Sequence, residues 1–311
     1  MSNIVLDGIM GLVVGDALGV PVEFQSRDSL EKEPVTGMRA YGTYGQPAGT
    51  WSDDSSLTLA LLDSLKKGLD YKDIMDKFLG WYERADYTPH GQMFDIGNAT
   101  SAALRRYKSG CAPLEAGGTS EGDNGNGSLM RILPILFYLL KHYGEDFTEK
   151  AEAFEIIHNI SALTHGHRRS MMACGIYICL AKSLIGLKDK ERAVKEGLKT
   201  AFAYYKNQAD FKNEEQHFIT LEDEDFKNLP EDDIESGGYV VDSLKASLWC
   251  LLNTGSYADC VLKAVNLGKD TDTTAAIAGG LAGLFYGYEA IPEDWLGVIS
   301  RREYVEALCE F

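Results

Sequence analysis

The six cysteines of this chain never form a Cys-x-x-Cys pair. They stand scattered at 111, 174, 179, 250, 260 and 309, which argues against a zinc ribbon or a thioredoxin-like motif and fits reduced thiols in a cytoplasmic protein. Basic charge is also scarce. Thirty Lys and Arg stand against 47 Asp and Glu, for a formal net charge of −17 and a pI of about 4.8. Such a surface repels nucleic acid and anionic membranes, though one local amide-lined pocket for a phosphate stays compatible with it. No uncharged apolar run reaches the length of a membrane span, because Asp7 and Asp16 interrupt the N-terminal one. That segment also lacks the basic start of a signal peptide. No Walker lysine, no Gly-x-Gly-x-x-Gly after a strand, no repeat and no convincing series of alternating strands is present.

What is present is helical grammar. With 45% hydrophobic and 25% charged residues the composition is that of a globular protein, and the 311 residues read as one all-α domain of roughly a dozen helices. The clearest helices are expected over 4–20, 52–67, 71–84, 99–108, 128–143, 151–163, 168–187, 190–206, to about 252, and 256–266. Gly8, Gly11, Gly15 and Gly19 recur every three or four residues in the first of them, which suits close helix packing. Residues 27–48 look like loop, and 207–236 like an acidic, solvated excursion.

Two helix starts carry oxygen-rich clusters. Asn266-Leu-Gly-Lys-Asp-Thr-Asp-Thr-Thr leads into a small, apolar, buried helix and brings Asp270, Asp272 and Thr273. Gly49-Thr-Trp-Ser-Asp-Asp-Ser-Ser does the same with Ser52 as N-cap and Asp53 and Asp54 in the first turn. Each alone is equally a capping device, since a helix N-terminus favours negative charge. Together they point to hard divalent cations such as Mg2+ or Mn2+, which take carboxylate and hydroxyl oxygens, and the pair could form a two-metal centre. Three more acids draw notice. Asp16 is expected to be a buried, hydrogen-bonded acid. Glu23 lies just past a helix end between apolar residues, as a cap, a ligand or an acid of raised pKa. Asp95 precedes a third helix start, with Asn98 as its expected cap. A Gly-rich stretch ending in Gly125-Asn-Gly-Ser offers backbone amides to a phosphate. His165 and His167 are two apart, so only a loop could aim both at one metal; hydrogen bonding to a ligand suits them better.

These motifs, in this order, resemble the ADP-ribosylglycohydrolases, over most of the chain. The resemblance rests on Gly15-Asp-Ala-Leu-Gly with Glu23 downstream, Thr50-Trp-Ser-Asp-Asp-Ser-Ser, Gly97-Asn-Ala-Thr, Asn126-Gly-Ser-Leu-Met-Arg-Ile-Leu-Pro, Thr164-His, Gly238-Tyr-Val-Val-Asp-Ser-Leu and Gly268-Lys-Asp-Thr-Asp-Thr. Ser52 and Ser55 replace the threonines of many members but keep a hydroxyl. The resemblance implies an all-α fold with two Mg2+ or Mn2+ ions held by Ser52, Asp53, Asp54, Asp270, Asp272 and Thr273. It implies Glu23 beside the metals and Asp95 facing the ribose next to the scissile bond, so that Glu23 or Asp95 is the expected catalytic acid for proton transfer. It further implies ADP-ribose contacts from Asn126, Gly127, Ser128, Met130, His165, Tyr239 and Gly268, with the loop amides on the diphosphate and Tyr239 near adenine. The expected substrate is an ADP-ribosylated protein, arginine-linked first, then serine-linked or an ADP-ribosyl small molecule, hydrolysed by a monomer. A silent ADP-ribose binder stays open. An isoprenoid synthase fits less, because Asp53-Asp-Ser-Ser-Leu lacks a third acid, and a His-Asp phosphohydrolase less again, because no His-Asp dipeptide occurs.

Overall fold

A computed structural model describes residues 3–311 and carries fifteen α-helices. In chain order they are α1 (Ile4–Gly19), α2 (Arg27–Lys32), α3 (Asp53–Leu65), α4 (Tyr71–Arg84), α5 (Asn98–Lys108), α6 (Pro134–Tyr143), α7 (Ala151–Ala162) and α8 (Arg168–Leu184). There follow α9 (Lys190–Tyr205), α10 (Glu215–Phe218), α11 (Val240–Leu252), α12 (Tyr257–Asn266), α13 (Thr271–Tyr286), α14 (Glu293–Leu296) and α15 (Arg302–Leu308). Among the described residues there is no strand, only three isolated bridges at Tyr41–Gln46, Gly118–His165 and Gly125–Tyr239.

The centre of the molecule is the pair α1 and α13. Both are apolar on all sides and buried along almost their whole length, the pattern of a helix with no solvent face. Their small residues let the two backbones touch. A Cβ on Gly15 would stand 2.1 Å from the Ala275 carbonyl oxygen, and one on Gly19 2.3 Å from the backbone N and Cα of Asp272. Thr271 Oγ1 of α13 donates to the Gly19 carbonyl at 2.8 Å, and from α12 the Tyr257 hydroxyl donates to the Gly11 carbonyl at 2.6 Å, so α1 is held against both helices. The segment Ile4–Val22 is long and apolar enough to cross a membrane, but 89% of it is buried inside this protein, so it serves as the core helix.

Several boundaries differ from the sequence expectation. Residues 27–48 contain α2, capped by Ser26, and a short 3-10 turn at Gly42–Tyr44. The cap of α5 is Gly97, with Asn98 its first helical residue. The helix expected over 128–143 begins only at Pro134, where the missing amide of proline suits a first turn. The acidic stretch 207–236 is helical turns rather than free chain, anchored by buried Phe211, Phe218, Leu221, Phe226 and Ile234.

The α1–α13 contact yields a direct test. Gly15→Ala places a methyl where the Ala275 carbonyl now lies, and overpacking of this kind costs about 1–3 kcal/mol or more. Gly122, which has nothing within 4 Å of an added Cβ, is the control. Thermal unfolding of the two alanine variants is expected to show a fall of several degrees for Gly15→Ala and almost none for Gly122→Ala. Equal melting temperatures would mean the two helices are not in backbone contact.

Candidate metal centre and nucleotide loops

The helix contact brings the start of α13 against the end of α1, and α3 is drawn in by one side chain. Asp16, on the last turn of α1, is fully buried. Its carboxylate accepts from the Ser52 amide at 2.9 and 3.1 Å, the Ser55 amide at 3.0 Å and the Ser55 hydroxyl at 2.5 Å. It is the hydrogen-bonded acid the sequence suggests, and it also clamps the acidic start of α3 to α1. Asp54 completes the junction by accepting from Ser52 Oγ at 3.0 Å and Thr273 Oγ1 at 3.3 Å. The two clusters, more than 200 residues apart in sequence, are one place in the fold.

Two tight carboxylate triplets result. Oxygens of Asp16, Asp54 and Asp272 lie within 4.8 Å of one another, and so do oxygens of Glu23, Asp95 and Asp272. Asp272 belongs to both. Asp53 and Asp270 border these triplets without entering either. Asp270 is turned aside by Asn126, whose side-chain amide donates to it at 2.8 Å. Lys269, with φ of 63°, and Asp95, with φ of 55°, adopt left-handed backbone, as does Phe24 beside Glu23 with φ of 66°. Three strained residues at one site mark it as over-determined by its surroundings.

The electrostatics are unfavourable as they stand. Burial first, and neighbouring carboxylates second, push Asp53, Asp54 and Asp272 well above the usual carboxylate range. Burial also raises Asp270, against the opposing bond from Asn126. Glu23 is pushed to about 9 by burial and then by Asp95, and Asp16 to about 6 by burial despite its serine bonds. Four buried side-chain polar atoms of the described residues lack a hydrogen-bond partner, and three are carboxylate oxygens here: Glu23 Oε2, Asp54 Oδ1 and Asp272 Oδ2. An orphaned buried carboxylate is costly. Three converging ones fit a hard divalent cation, which takes oxygen ligands and neutralises their charge. Cavity size does not find this site. A cavity of about 710 Å3, walled by Val194, Leu198, Phe202, Leu221 and Phe226 among others, shares no residue with it.

Loops gather beside the acids. The bridge between Gly125 and Tyr239 and that between Gly118 and His165 hold four chain segments together without a sheet. Asn126, Ser128 and Met130 are buried, and Gly127 is half-buried. The Asn126 amide N–H donates to the Gly238 carbonyl at 3.0 Å. It is therefore paired, which narrows the set of free loop amides that the sequence suggests. A Cβ on Gly127 would lie 2.9 Å from the His165 ring and 3.0 Å from Thr100 Oγ1. His165 is buried behind this loop, whereas His167 caps α8 by accepting from the Arg169 amide at 3.1 Å, so the two do not form a metal pair. Tyr239 is half-buried with the Arg169 guanidinium 6.0 Å from its ring centre. Gly268, with φ of 77°, packs where a Cβ would stand 2.7 Å from the Arg27 amide nitrogen.

Three features were not visible in the sequence. Asp16 shares a carboxylate triplet. The Tyr44 hydroxyl sits against Glu23, and burial first, with that carboxylate second, drives the tyrosine's pKa upward. Phe24, Tyr44 and Phe94 form an aromatic row, with ring centres 6.5 and 4.8 Å apart, and Phe24 is 69% exposed. Only the local richness in tyrosine hinted at this.

Orphaned carboxylates that converge at the helix starts of an all-α protein, with a glycine-rich loop alongside, define the class of proteins with an acidic, cation-accepting centre. The chain is a member of the ADP-ribosylglycohydrolase family, whose model matches residues 2–311, and it is thus a glycohydrolase. It is 31% identical to ADP-ribosylarginine hydrolase Tri1 of Serratia proteamaculans, over 97% of this chain and 76% of that one. It is 30% identical to the ADP-ribosyl-[dinitrogen reductase] glycohydrolase of Rhodospirillum rubrum, over 96% and 90% respectively. A solved structure titled ADP-ribosylglycohydrolase-related protein complex superposes with a TM-score of 0.77 at 31% identity, covering 99% of this chain and 95% of that chain.

The charge pattern predicts how stability depends on pH. A carboxyl raised in the folded state binds its proton more tightly there than in the unfolded chain, so its contribution is present at low pH and lost as pH rises through the folded value. The window runs from the ordinary value of 4.5 to about 9 for Glu23, and from 3.8 to about 6 for Asp16. In EDTA the melting temperature is expected to fall as pH rises across this range, and saturating Mg2+ or Mn2+ to raise it most at the alkaline end. A metal-independent melting temperature at pH 8 would show that no cation occupies the acids.

Proposed function

We propose that this protein hydrolyses the N-glycosidic bond joining ADP-ribose to an arginine side chain of a modified protein, using two bound Mg2+ or Mn2+ ions. The observation that carries the reading is the convergence of Glu23 and Asp95 with Asp272 beside the Gly125–Ser128 loop. The names of relatives similar over nearly the whole chain, an ADP-ribosylarginine hydrolase and a dinitrogen reductase glycohydrolase, support arginine as the acceptor. Six free thiols, five of them buried, support a reducing, cytoplasmic setting, and we take the monomer as the working unit.

The roles follow from position. Ser52, Asp53, Asp54, Asp270, Asp272 and Thr273 would hold the ions, with Asp16 orienting the first of them. When bound, such ions orient ribose hydroxyls and polarise water. Hydrolysis joins the water oxygen to C1″ of the ribose and breaks the bond from C1″ to the guanidine nitrogen. One proton leaves the water and one reaches the departing nitrogen. Glu23 and Asp95 carry these transfers, since they lie together and one buried carboxyl of raised pKa holds a proton while the other accepts one. The negative field of the cluster favours the cationic ribose that develops as the bond breaks. Asn126, Gly127, Ser128, Met130 and His165 border the diphosphate, Tyr239 lies by adenine, and Gly268 lets the acid-bearing loop pass close to the 25–27 backbone.

The decisive assay is release of free ADP-ribose from arginine-ADP-ribosylated protein, with Mg2+ and then with EDTA. Metal-dependent release is expected. Binding of ADP-ribose without release would point to another acceptor or a silent binder. Glu23→Gln and Asp95→Asn are each expected to lower kcat by about a hundredfold or more, with metal content measured alongside. Near-full turnover in both, at normal metal content, would remove these two acids from the chemistry.

A further inference from the structure

Arg131 is a cation without an anion. It is fully buried, and its guanidinium meets only uncharged oxygens: the Ile160 carbonyl at 3.3 Å from both Nη1 and Nη2, and Thr164 Oγ1 at 2.6 Å from Nη2. Nε has no partner, and the Phe78 ring centre lies 4.7 Å away. Burial lowers its pKa only to about 10, so the charge persists at neutral pH. A charge kept inside without a counter-ion is expensive, and a hydrophobic side chain would fill the same space more cheaply.

Its hydrogen bonds give it a direction. A guanidinium only donates. Thr164 Oγ1 therefore accepts from Arg131, and its own proton is left to point at its other neighbour, His165 Nδ1, at 2.8 Å. Thr164 is fully buried, and among the described residues its hydroxyl makes no hydrogen bond besides those to Arg131 and His165. If Nδ1 carried the proton, the hydroxyl hydrogen would be stranded. Nδ1 must accept, which places the imidazole proton on Nε2. Burial, with Arg131 behind it, holds the ring neutral. Nε2 has no hydrogen-bond partner among the described residues. It lies 3.5 Å from where a Cβ on Gly125 would stand and 3.4 Å from one on Gly127, so the glycines keep open the space it faces.

We propose that Arg131 and Thr164 are positioning residues that lock His165 as its Nε2-protonated tautomer, a neutral N–H donor aimed at a diphosphate oxygen of the ADP-ribosyl group. The proposal rests on the reading of the Gly125–Ser128 loop as the diphosphate site. It explains why a cation is buried at Arg131. It also explains why the residue after Thr164 is a histidine, whose second nitrogen carries the donor onward.

The test uses the metal-loaded full chain. Nitrogen-15 NMR of the His165 ring in the ligand-free protein is expected to show Nε2 protonated and Nδ1 accepting. Thr164→Val keeps the shape and removes the relay, whereas Thr164→Ser keeps the hydroxyl. Thr164→Val is expected to release the tautomer and to raise Kd for ADP-ribose and for ADP, and KM with them, by about tenfold. It should leave kcat within about twofold, and Thr164→Ser should restore wild-type values. In a His165→Ala background the Thr164→Val effect on Kd should vanish. A wild-type His165 protonated on Nδ1 overturns the proposal whether or not any variant folds. So does a Thr164→Val protein that keeps wild-type affinity, or a loss that serine fails to rescue. If the tautomer is as stated but neither ADP-ribose nor ADP binds, the diphosphate reading itself has failed, and the donor role falls with it.

Discussion

The structure depends on one backbone-to-backbone contact, that of α1 with α13. A side chain of any size at Gly15 or Gly19 would separate them, since the Ala275 carbonyl and the Asp272 backbone occupy the space. Glycine in a helix interior costs about 0.5–1 kcal/mol relative to alanine, and several are spent along this seam. The return is positional. With the helices touching, Asp272 enters the centre from one and Asp16 from the other, and Asp16 then holds α3 through the Ser52 and Ser55 amides. Buried carboxylates repel and lose their hydration, so they do not assemble by themselves. Here the apolar packing of the helices carrying them holds them together, and the orphaned oxygens of Glu23, Asp54 and Asp272 are the residue of that opposition. Carboxylates assembled in this way would have little left to rearrange on taking up a divalent cation.

What could be read from the chain follows the range of the forces involved. Helix α4 matches its expected bounds because an Asp70 cap and an apolar stripe are local signals. The acidic helix starts were legible for the same reason: Ser52 caps α3 as its position suggests. The errors are tertiary. Nothing local distinguishes Asn98 from Gly97 as the cap of α5. The turns of 207–236 form because their phenylalanines find a core, which an acid-rich composition conceals. The Asn126 amide looked free in a glycine-rich loop and is taken by the Gly238 carbonyl, more than a hundred residues on. Asp16 could be recognised as a buried acid, but its place among the carboxylates required the fold. The same is true of Tyr44 beside Glu23 and of the line from Arg131 through Thr164 to His165.

One side chain reaches across both halves of the site. Asn126 belongs to the glycine-rich loop, yet its amide nitrogen donates both to Asp270 at 2.8 Å and to Ser243 Oγ at 2.9 Å. It spans from the loop to the acidic centre and to α11, whose N-terminal residue follows Tyr239. The loop is tied again by the Val240 amide donating to the Asn124 carbonyl at 3.0 Å. These bonds fix the spacing between the loop and the acids. On the proposed reading, a molecule with a diphosphate at one end and a scissile ribose at the other meets a spacing set in advance. That is where positioning contributes most to rate.

The opposite side of the acids is built differently. Phe24, Asp95 and Lys269 all hold left-handed backbone there, and Phe24 is largely exposed. The Phe24 amide donates to the Lys269 carbonyl and the Lys269 amide to the Gln25 carbonyl, each at 2.7 Å, so two of the strained residues brace each other. Left-handed backbone at such residues is costly and persists only where the surroundings enforce it. On the proposed reading, the nucleotide side is thus set by buried side chains and helix starts, and the outer side by exposed and half-buried loop residues held in uncommon conformations. Exposed loops accept substitution far more readily than a buried seam of helices. Holding ADP-ribose and admitting the group it is released from are, on that reading, demands that fall on different parts of the chain.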